Sequence, residues 1–120
     1  MVDYQPKKLD AVFHALANPA RRNIVMQLVL GDLNVNQLAA KHDMTLQAVS
    51  KHIHVLVRSG LVEQTKLGRI RKCRLNIESL AAVSDLVEEC RQTWEKRLDR
   101  LEEYFDKKQA RRKKKWGKTK

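Results

Sequence analysis

The chain has few cysteines and no long apolar run, and both absences limit what it can be. Two cysteines in 120 residues, Cys73 and Cys90, cannot form the disulfide framework of a small secreted domain, so reduced thiols in the cytoplasm are expected. No apolar run approaches the ~20 residues of a membrane span, and the first residues resemble no signal peptide. The sequence also lacks a glycine-rich phosphate loop, a Gly-x-Ser-x-Gly elbow and a His-Glu-x-x-His motif. We therefore predict a cytoplasmic protein that is not an enzyme.

Positive charge is abundant but unevenly distributed. The net charge is +11, and residues 107–120 hold nine Lys or Arg and no acid, so residues 1–106 carry only +2 of it. This asymmetry predicts a folded domain over residues 1–106 and a basic, disordered tail over residues 107–120. Such a tail either only solubilises the chain or adds phosphate contacts to a nucleic acid.

Two amphipathic helices are predicted before residue 31. Leu9, Val12, Phe13 and Leu16 recur at i, i+3, i+4 and i+7, which is the spacing of one helix face. Asn18-Pro19 should end the first helix and begin the second, which covers residues 20–30 and stops before Gly31. The second helix is expected to turn these residues inward: Ile24, Val25, Leu28 and Val29.

Residues 34–60 carry the pattern of a helix-turn-helix. Asn34 and Gln37 match a capping box that opens a short helix, while Thr45 is placed to cap the next helix and Gly60 to end it. Helix pairs of this size insert their second helix into the major groove of DNA. The second helix should expose side chains that donate hydrogen bonds or carry positive charge: Gln47, Ser50, Lys51, His54 and Arg58.

Two short strands and a long helix follow. Residues 61–66 and 70–76 alternate as strands around a turn at residues 67–69, and residues 78–105 form one long helix or two. The apolar stripe of this last region steps by three or four residues: Val83, Val87, Cys90, Trp94, Leu98, Leu101 and Phe105. The predicted fold is mainly α with a small β-hairpin, in the order α-α-α-α-β-β-α of a winged helix-turn-helix.

Several motifs in this order make the chain similar to the bacterial arsenic-repressor (ArsR) family of dimeric winged-helix transcriptional repressors. They are Ala-Leu-Ala-Asn-Pro-Ala-Arg-Arg at 15–22, Gln-Leu-Ala at 37–39, Gln-Ala-Val-Ser-Lys-His-Ile at 47–53, Leu-Val-Arg-Ser-Gly-Leu-Val at 56–62 and Gly-Arg at 68–69. The stretch from Trp94 to Phe105 resembles the terminal helix of a subgroup of this family. The resemblance implies a sequence-specific, double-stranded DNA-binding regulator, most simply a repressor.

The resemblance also implies which residues contact DNA: Thr45, Leu46, Gln47, Ser50, Lys51, His54, Arg69 and Arg22. Gln47 and Lys51 are candidates to read adenine and guanine, and Leu46 to touch a thymine methyl. Ser50 and His54 fit base or phosphate contacts equally. Arg69 would enter the adjacent minor groove or touch its phosphates, while Arg21 and Arg22 either hold phosphates or pair with acids inside the fold. For each side chain, the alternative is an ordinary solvated surface position.

A homodimer is expected from the same resemblance. Its interface would use the first and last helices through Leu9, Val12, Phe13, Trp94, Leu98, Leu101 and Phe105. Two copies would then bind an inverted repeat with half-sites ~10 bp apart. The alternative for the stripe is burial within one subunit.

No metal or other cofactor is predicted. Metal-sensing relatives begin the third helix with Glu-Leu-Cys-Val-Cys-Asp, whereas this chain has Asn34 and Asn36 at the cysteine positions, and amides are poor ligands for soft metals. His52 and His54 point about 200° apart on a helix and cannot share one ion. Cys90 is expected to be a buried small apolar residue and Cys73 to be unreactive, so the effector is left open.

Two other functions remain compatible with the sequence. A non-specific nucleic-acid or nucleoid-associated protein would rely on the basic tail and show no preference for an inverted repeat. A winged-helix protein-interaction module would use the same fold to hold a protein and would not bind DNA at moderate salt.

Overall fold

A computed structural model of the protein describes the backbone of residues 6–117 and the side chains of residues 7–112. Its elements in chain order are α1 (Pro6–Leu16), α2 (Pro19–Val29), β1 (Leu33–Asn34), α3 (Val35–His42), α4 (Leu46–Ser59), β2 (Val62–Leu67), β3 (Ile70–Leu75), a 3-10 turn (Ile77–Leu80) and α5 (Ala81–Gly117). The chain divides into two units, residues 1–84 and 85–120. We call the described part of the first unit the body. The predicted order of helices and hairpin is confirmed.

The junction between α1 and α2 follows the predicted cap. Asn18 accepts a hydrogen bond from the backbone N–H of Arg21 at 3.2 Å, and Pro19 begins α2. Ile24, Val25 and Leu28 are buried, but the inward position predicted for Val29 is wrong because its side chain is 53% exposed. One residue beyond Leu28, a helix has turned by about 100° away from the buried face.

The caps of the helix-turn-helix are also confirmed. The Gln37 N–H donates to Asn34 Oδ1 at 2.8 Å and the Asn34 N–H donates to Gln37 Oε1 at 2.9 Å, which completes the capping box. Thr45 Oγ1 accepts from the Ala48 N–H at 3.1 Å. Gly60 ends α4 with φ at 86°, a left-handed conformation that glycine adopts without strain.

The hairpin is part of a three-stranded antiparallel sheet with the order β1-β3-β2. Leu67 lies opposite Ile70, so the turn consists of Gly68 and Arg69 alone, and Gly68 supplies a φ of 63°. Strand β1 pairs through Leu33 with Cys73 and was not predicted. Two residues are too few to show an alternating pattern, so this pairing depends on contacts that are distant in sequence.

The apolar core lies inside the body. Its fully buried larger side chains are Ile24, Leu38, Val49, Ile53, Leu56, Leu61, Val62 and Cys73. Val12 belongs to this core and is only 3% exposed, so its predicted role in the dimer interface is corrected. Helix α1 has apolar residues on two sides, and the side that carries Val12 faces its own subunit. Phe13, on the other side, is 42% exposed.

The last helix is continuous and begins later than predicted, at Ala81, because a 3-10 turn precedes it. It extends to Gly117, so the backbone of residues 107–117 is helical where the sequence suggested disorder. Lysine, arginine, glutamine and alanine dominate this stretch, and all four favour helix. Residues 1–5 and 118–120 of the predicted domain and tail lie outside the described residues, and the boundary at residue 106 stays a prediction.

No helix among the described residues is both long and apolar enough to cross a membrane.

Candidate nucleic-acid interface

Helix α4 has a buried face and a polar face. Val49, Ile53 and Leu56 are almost completely buried and fix the helix on the body. Around the rest of its circumference, Gln47, Lys51 and His54 are exposed, and Ser50 is partly exposed. The polar face is therefore available to a partner while the opposite face holds the helix rigidly in place.

A groove of about 290 Å³ lies where α4 meets the hairpin and the start of α3. It is lined by Asn34, Val35 and Asn36 from the β1–α3 segment, Leu46 and Ser50 from α4, and Arg69, Ile70 and Arg71 from the hairpin. We call this feature the wing groove. It brings together three residues that the sequence assigned to DNA binding, Leu46, Ser50 and Arg69. It does not include the other predicted contacts Thr45, Gln47, Lys51, His54 and Arg22.

Five of the eight residues of the wing groove were not predicted to contact DNA, among them Asn34, which was predicted only as a helix cap, and Val35. Asn36 was considered only as a lost metal ligand, and Ile70 and Arg71 only as strand residues. Arg71 lies on the same face of β3 as Cys73, because alternate residues of a strand share a face, but the burial of Cys73 that orients this face is seen only in the structure. The proximity of Asn36 depends on β1 pairing with β3, which the sequence did not reveal.

Arg21 and Arg22 both bind the carboxyl end of α1. Arg21 Nε donates to the Ala15 carbonyl at 2.7 Å, and a terminal guanidinium nitrogen donates to the His14 carbonyl at 3.1 Å. Arg22 donates to the Leu16 carbonyl at 2.8 Å and is exposed. The last carbonyls of a helix lack partners in the helix, and cationic donors satisfy them well. Pairing with acids, one of the two options for these arginines, is not observed among the described residues.

His52 lies on α4 beside Arg21, with 3.5 Å between its Nδ1 and a guanidinium nitrogen. Burial and, to a lesser degree, the positive charge of Arg21 lower the pKa of His52 below its usual value. The imidazole is therefore neutral at physiological pH, and the Arg21 side chain connects the end of α1 to α4. His54 is exposed.

The two cysteines differ in environment. Cys73 is buried on β3, and burial raises the pKa of its thiol, while a hydrogen bond with Gln64 opposes that shift. A thiol held in its protonated form is a poor nucleophile. Cys90 is exposed on α5 in the single chain, on the stripe that is predicted to face a second copy, so its burial in a dimer stays a prediction. Among the described residues, no three His, Cys, Asp or Glu side chains are grouped so that they could hold a metal ion.

The terminal helix exposes its predicted apolar stripe from Val87 onward, whereas Val83 packs against the core of the body. Trp94, Leu98, Leu101 and Phe105 are between 45% and 57% exposed. Elsewhere on the helix, Arg91 pairs with Glu88 and Glu95. The hydrogen bond from Arg91 holds the pKa of the Glu88 carboxyl below its usual value. The chain thus combines a polar face of α4 in the body with an apolar stripe on α5.

A helix-turn-helix with a following β-hairpin and a groove between them defines a winged helix-turn-helix protein. A family model for a helix-turn-helix domain matches residues 16–65. The chain is 38% identical over 74 residues to the HTH-type transcriptional regulator Rv2034 of Mycobacterium tuberculosis, an alignment that spans 62% of this chain and 69% of that protein.

Solved structures give the same assignment. An ArsR family transcriptional regulator, RHA00566, is 39% identical, with a TM-score of 0.72 over 79% of this chain and 97% of its own. The homodimeric winged helix-turn-helix domain of Mb0332 from Mycobacterium bovis, a possible ArsR-family regulator, is 26% identical, with a TM-score of 0.59 over 77% of this chain and 91% of its own. The chain belongs to the ArsR family of winged helix-turn-helix regulators and is a DNA-binding transcriptional regulator.

Proposed function

We propose that the protein binds double-stranded DNA as a homodimer, at an inverted repeat, and represses transcription from the promoter that contains it. The observation that carries this proposal is the polar face of α4 next to the wing groove. Val49, Ile53 and Leu56 hold the helix, so its backbone presents the polar side chains without needing to be ordered when DNA binds. A preorganised backbone loses less entropy on binding.

Base reading is assigned to Gln47 and Lys51. Both are exposed near the start of α4, the part of a recognition helix that meets base edges. Glutamine can pair with adenine through two hydrogen bonds, and lysine can donate to the acceptors of guanine. Leu46, 50% exposed, offers an apolar contact to a thymine methyl. Thr45 caps the helix with its side chain and would touch DNA only through the remaining capacity of its hydroxyl.

Phosphate and minor-groove contacts are assigned to the periphery of the site. Arg69 is in the two-residue turn of the hairpin and exposed, which suits insertion into the minor groove. His54 lies further along α4 and is also exposed. Arg22 has one guanidinium nitrogen on the Leu16 carbonyl and retains donors for a phosphate.

The homodimer is supported by the apolar stripe of α5 and by the homodimeric state of the similar Mb0332 domain. The stripe residues Val83, Trp94 and Phe105 are spaced by eleven residues, with Val87, Cys90, Leu98 and Leu101 at equivalent positions between them. An eleven-residue repeat keeps an apolar stripe on one side of a nearly straight helix. Such a stripe suits pairing with a second copy, with Phe13 and the half-buried Leu9 of α1 contributing to the interface.

The basic segment, residues 107–120, is proposed to add phosphate contacts outside the site on the body. Lys107, Lys108, Arg111 and Arg112 are exposed and carry no carboxylate partner among the described residues. Repression would follow from a dimer that occupies the promoter and blocks access by polymerase. Because chromosomal DNA is the proposed partner, the proposal places the protein in the cytoplasm.

The test is selection of binding sites from random duplex DNA, followed by the variant Gln47→Ala/Lys51→Ala on the selected site. We expect an inverted repeat with half-sites ~10 bp apart and a loss of about 1–3 kcal/mol of discrimination per base contact removed. Arg58→Ala, an exposed cation at the far end of the same helix, serves as the matched control.

The other outcomes would change either the function or the assignment of its residues. Equal affinity for unrelated duplexes would point to a non-specific nucleic-acid binder. No binding at moderate salt would point to a protein-interaction module. Retained sequence preference in the double variant would remove the base-reading assignment from Gln47 and Lys51 while leaving DNA binding in place.

A further inference from the structure

Positive charges crowd one end of the hairpin without local compensation. Lys66 on β2 lies directly opposite Arg71 on β3, and Arg69 is in the turn beyond them. Like charges at directly opposed positions of an antiparallel pair destabilise the sheet. Among the described residues, Lys66, Arg69 and Arg71 have no carboxylate within ion-pair distance, whereas Lys72 pairs with Asp32 at 3.8 Å. The fold therefore tolerates an uncompensated cationic cluster at this end of the hairpin.

The opposite end of the same hairpin is arranged differently. Arg74 lies across from Glu63, so a cation there faces an acid. Arg74 also alternates with the buried Cys73 and therefore lies on the other face of β3 from Arg71. The two arginines are on one strand, both exposed, and differ in the charge opposite them and in the face they occupy.

Arg71 and Arg69 line the wing groove together with the apolar residues Val35, Leu46 and Ile70 and several polar residues that can bind an anion. Asn36 and Ser50 contribute an amide and a hydroxyl, and no Asp or Glu lines the groove. The Asn36 side chain makes no hydrogen bond within the described part of the chain. The volume of about 290 Å³ is large beside the ~30 Å³ that a water molecule occupies in the liquid.

We propose that the wing groove holds a phosphate of the DNA backbone, bound by Arg71 together with Asn36 and Ser50. Guanidinium groups bind phosphate through paired, charge-assisted hydrogen bonds, and the amide and hydroxyl can donate to the remaining oxygens. This contact rests on the proposed function and extends the DNA site from α4 to the beginning of α3. A DNA strand is favoured over a small free anion because Arg69, which also lines the groove, and the neighbouring Lys66 extend the positive charge along the hairpin.

The arrangement predicts opposite effects on folding and on binding. Arg71→Gln removes one of two opposed cations, so the melting temperature should stay constant or rise. The same substitution removes a phosphate ligand, so DNA affinity should fall. If Arg71 had only a structural role, Arg71→Gln would lower the melting temperature and the DNA affinity together.

The experiment compares Arg71→Gln with Arg74→Gln in the full chain, on the selected duplex and on a scrambled duplex, over a range of salt. For Arg71→Gln we expect roughly tenfold weaker binding on both duplexes and a decrease of about one in the slope of log affinity against log salt. Arg74→Gln should leave affinity within about twofold of the wild-type value. Asn36→Asp should weaken binding more than Asn36→Ala, because the new carboxylate would pair with Arg71.

Three results would separate the possibilities. Wild-type affinity and salt slope in Arg71→Gln, with specific binding by the wild-type chain, would overturn this contact and leave the proposed function intact. Absence of sequence preference in the wild-type chain itself would overturn the proposed function. Perturbation of the Arg71 Nε–H resonance by inorganic phosphate, combined with unchanged DNA binding by Arg71→Gln, would identify a small-anion site and overturn the assignment to DNA.

Discussion

The body and the terminal helix differ in how their apolar residues are satisfied. In the body, apolar side chains from α1 to β3 form a core that contains no buried polar or charged residue. In α5, every residue from 87 to 112 is exposed, including Trp94 and Phe105. The body has the means to fold on its own contacts, whereas the apolar stripe of α5 requires a partner to be buried. Substitutions in the body should therefore change the folding equilibrium, whereas substitutions in the α5 stripe should change the dimerisation equilibrium.

The largest effect is expected from a substitution in the core of the body. Leu56→Ala removes a fully buried side chain of α4 and should lower the free energy of unfolding by about 2–5 kcal/mol, because a cavity replaces packed atoms. Leu46→Ala, on the exposed face of the same helix, should change it by less than about 0.5 kcal/mol. Urea unfolding measures the free energy of unfolding of both variants. An equal decrease in the two would contradict the expected difference between the core and the exposed face.

A charge on the α5 stripe should disrupt assembly rather than folding. Leu101→Asp would bury an unpaired carboxylate in the proposed interface, a penalty on the order of 3–5 kcal/mol. Sedimentation equilibrium should give the monomer mass, with the melting transition of the body retained. Glu102→Gln, one residue off the stripe, should stay dimeric. A dimeric Leu101→Asp variant would exclude the stripe as the interface.

Removal of residues 107–120 should weaken binding to every duplex alike. Each lost phosphate contact lowers the salt slope by about 0.9. A full-length variant with glutamine at Lys107, Lys108, Arg111 and Arg112 keeps good helix formers and removes only charge. It should reproduce part of the effect of the deletion. Salt slopes that match the wild-type value in both would show that the segment has no part in DNA binding.

The smallest effect concerns the pH dependence of stability. The pKa of His52 is lowered in the folded protein from the reference value of 6.5, so the unfolded chain binds the proton more readily. The free energy of unfolding should accordingly be unaffected above this reference value and fall as the pH drops below it. His52→Gln should lack this loss when unfolding is compared at about pH 7.5 and about pH 5.5. If stability depended on pH in the same way in the wild type and in His52→Gln, the loss of stability at low pH could not be assigned to His52.

The sequence was sufficient for features that depend on neighbouring residues. The capping box of Asn34 and Gln37, the Thr45 cap and the glycine at the end of α4 are bonds and torsion angles within a few residues of each other, so spacing alone predicts them. The helix-turn-helix followed by a hairpin could be predicted for the same reason. Family resemblance added the candidate contacts on α4.

Features that depend on distant contacts were not predictable. Strand β1 exists through its pairing with β3, and the wing groove depends on that pairing as well. The core position of Val12 and the exposure of Val29 depend on which side of a helix faces the body, which an apolar spacing does not specify. Cys90 follows the spacing of the stripe, but whether a residue on that stripe is buried depends on a second chain.

The capping role of Asn34 restricts how this protein can change in evolution or in the laboratory. Metal-sensing relatives place a cysteine at its position, but here its amide oxygen holds the Gln37 N–H at 2.8 Å. Replacing a good cap residue costs about 1 kcal/mol. A cysteine at position 34 would therefore weaken α3, the helix that leads into α4. Asn36, whose side chain has no hydrogen-bond partner in the described part of the chain, is free of that cost. A metal-responsive version of this regulator would therefore need a compensating helix cap before Asn34 is changed, and a change at Asn36 would also remove a proposed phosphate ligand of the wing groove.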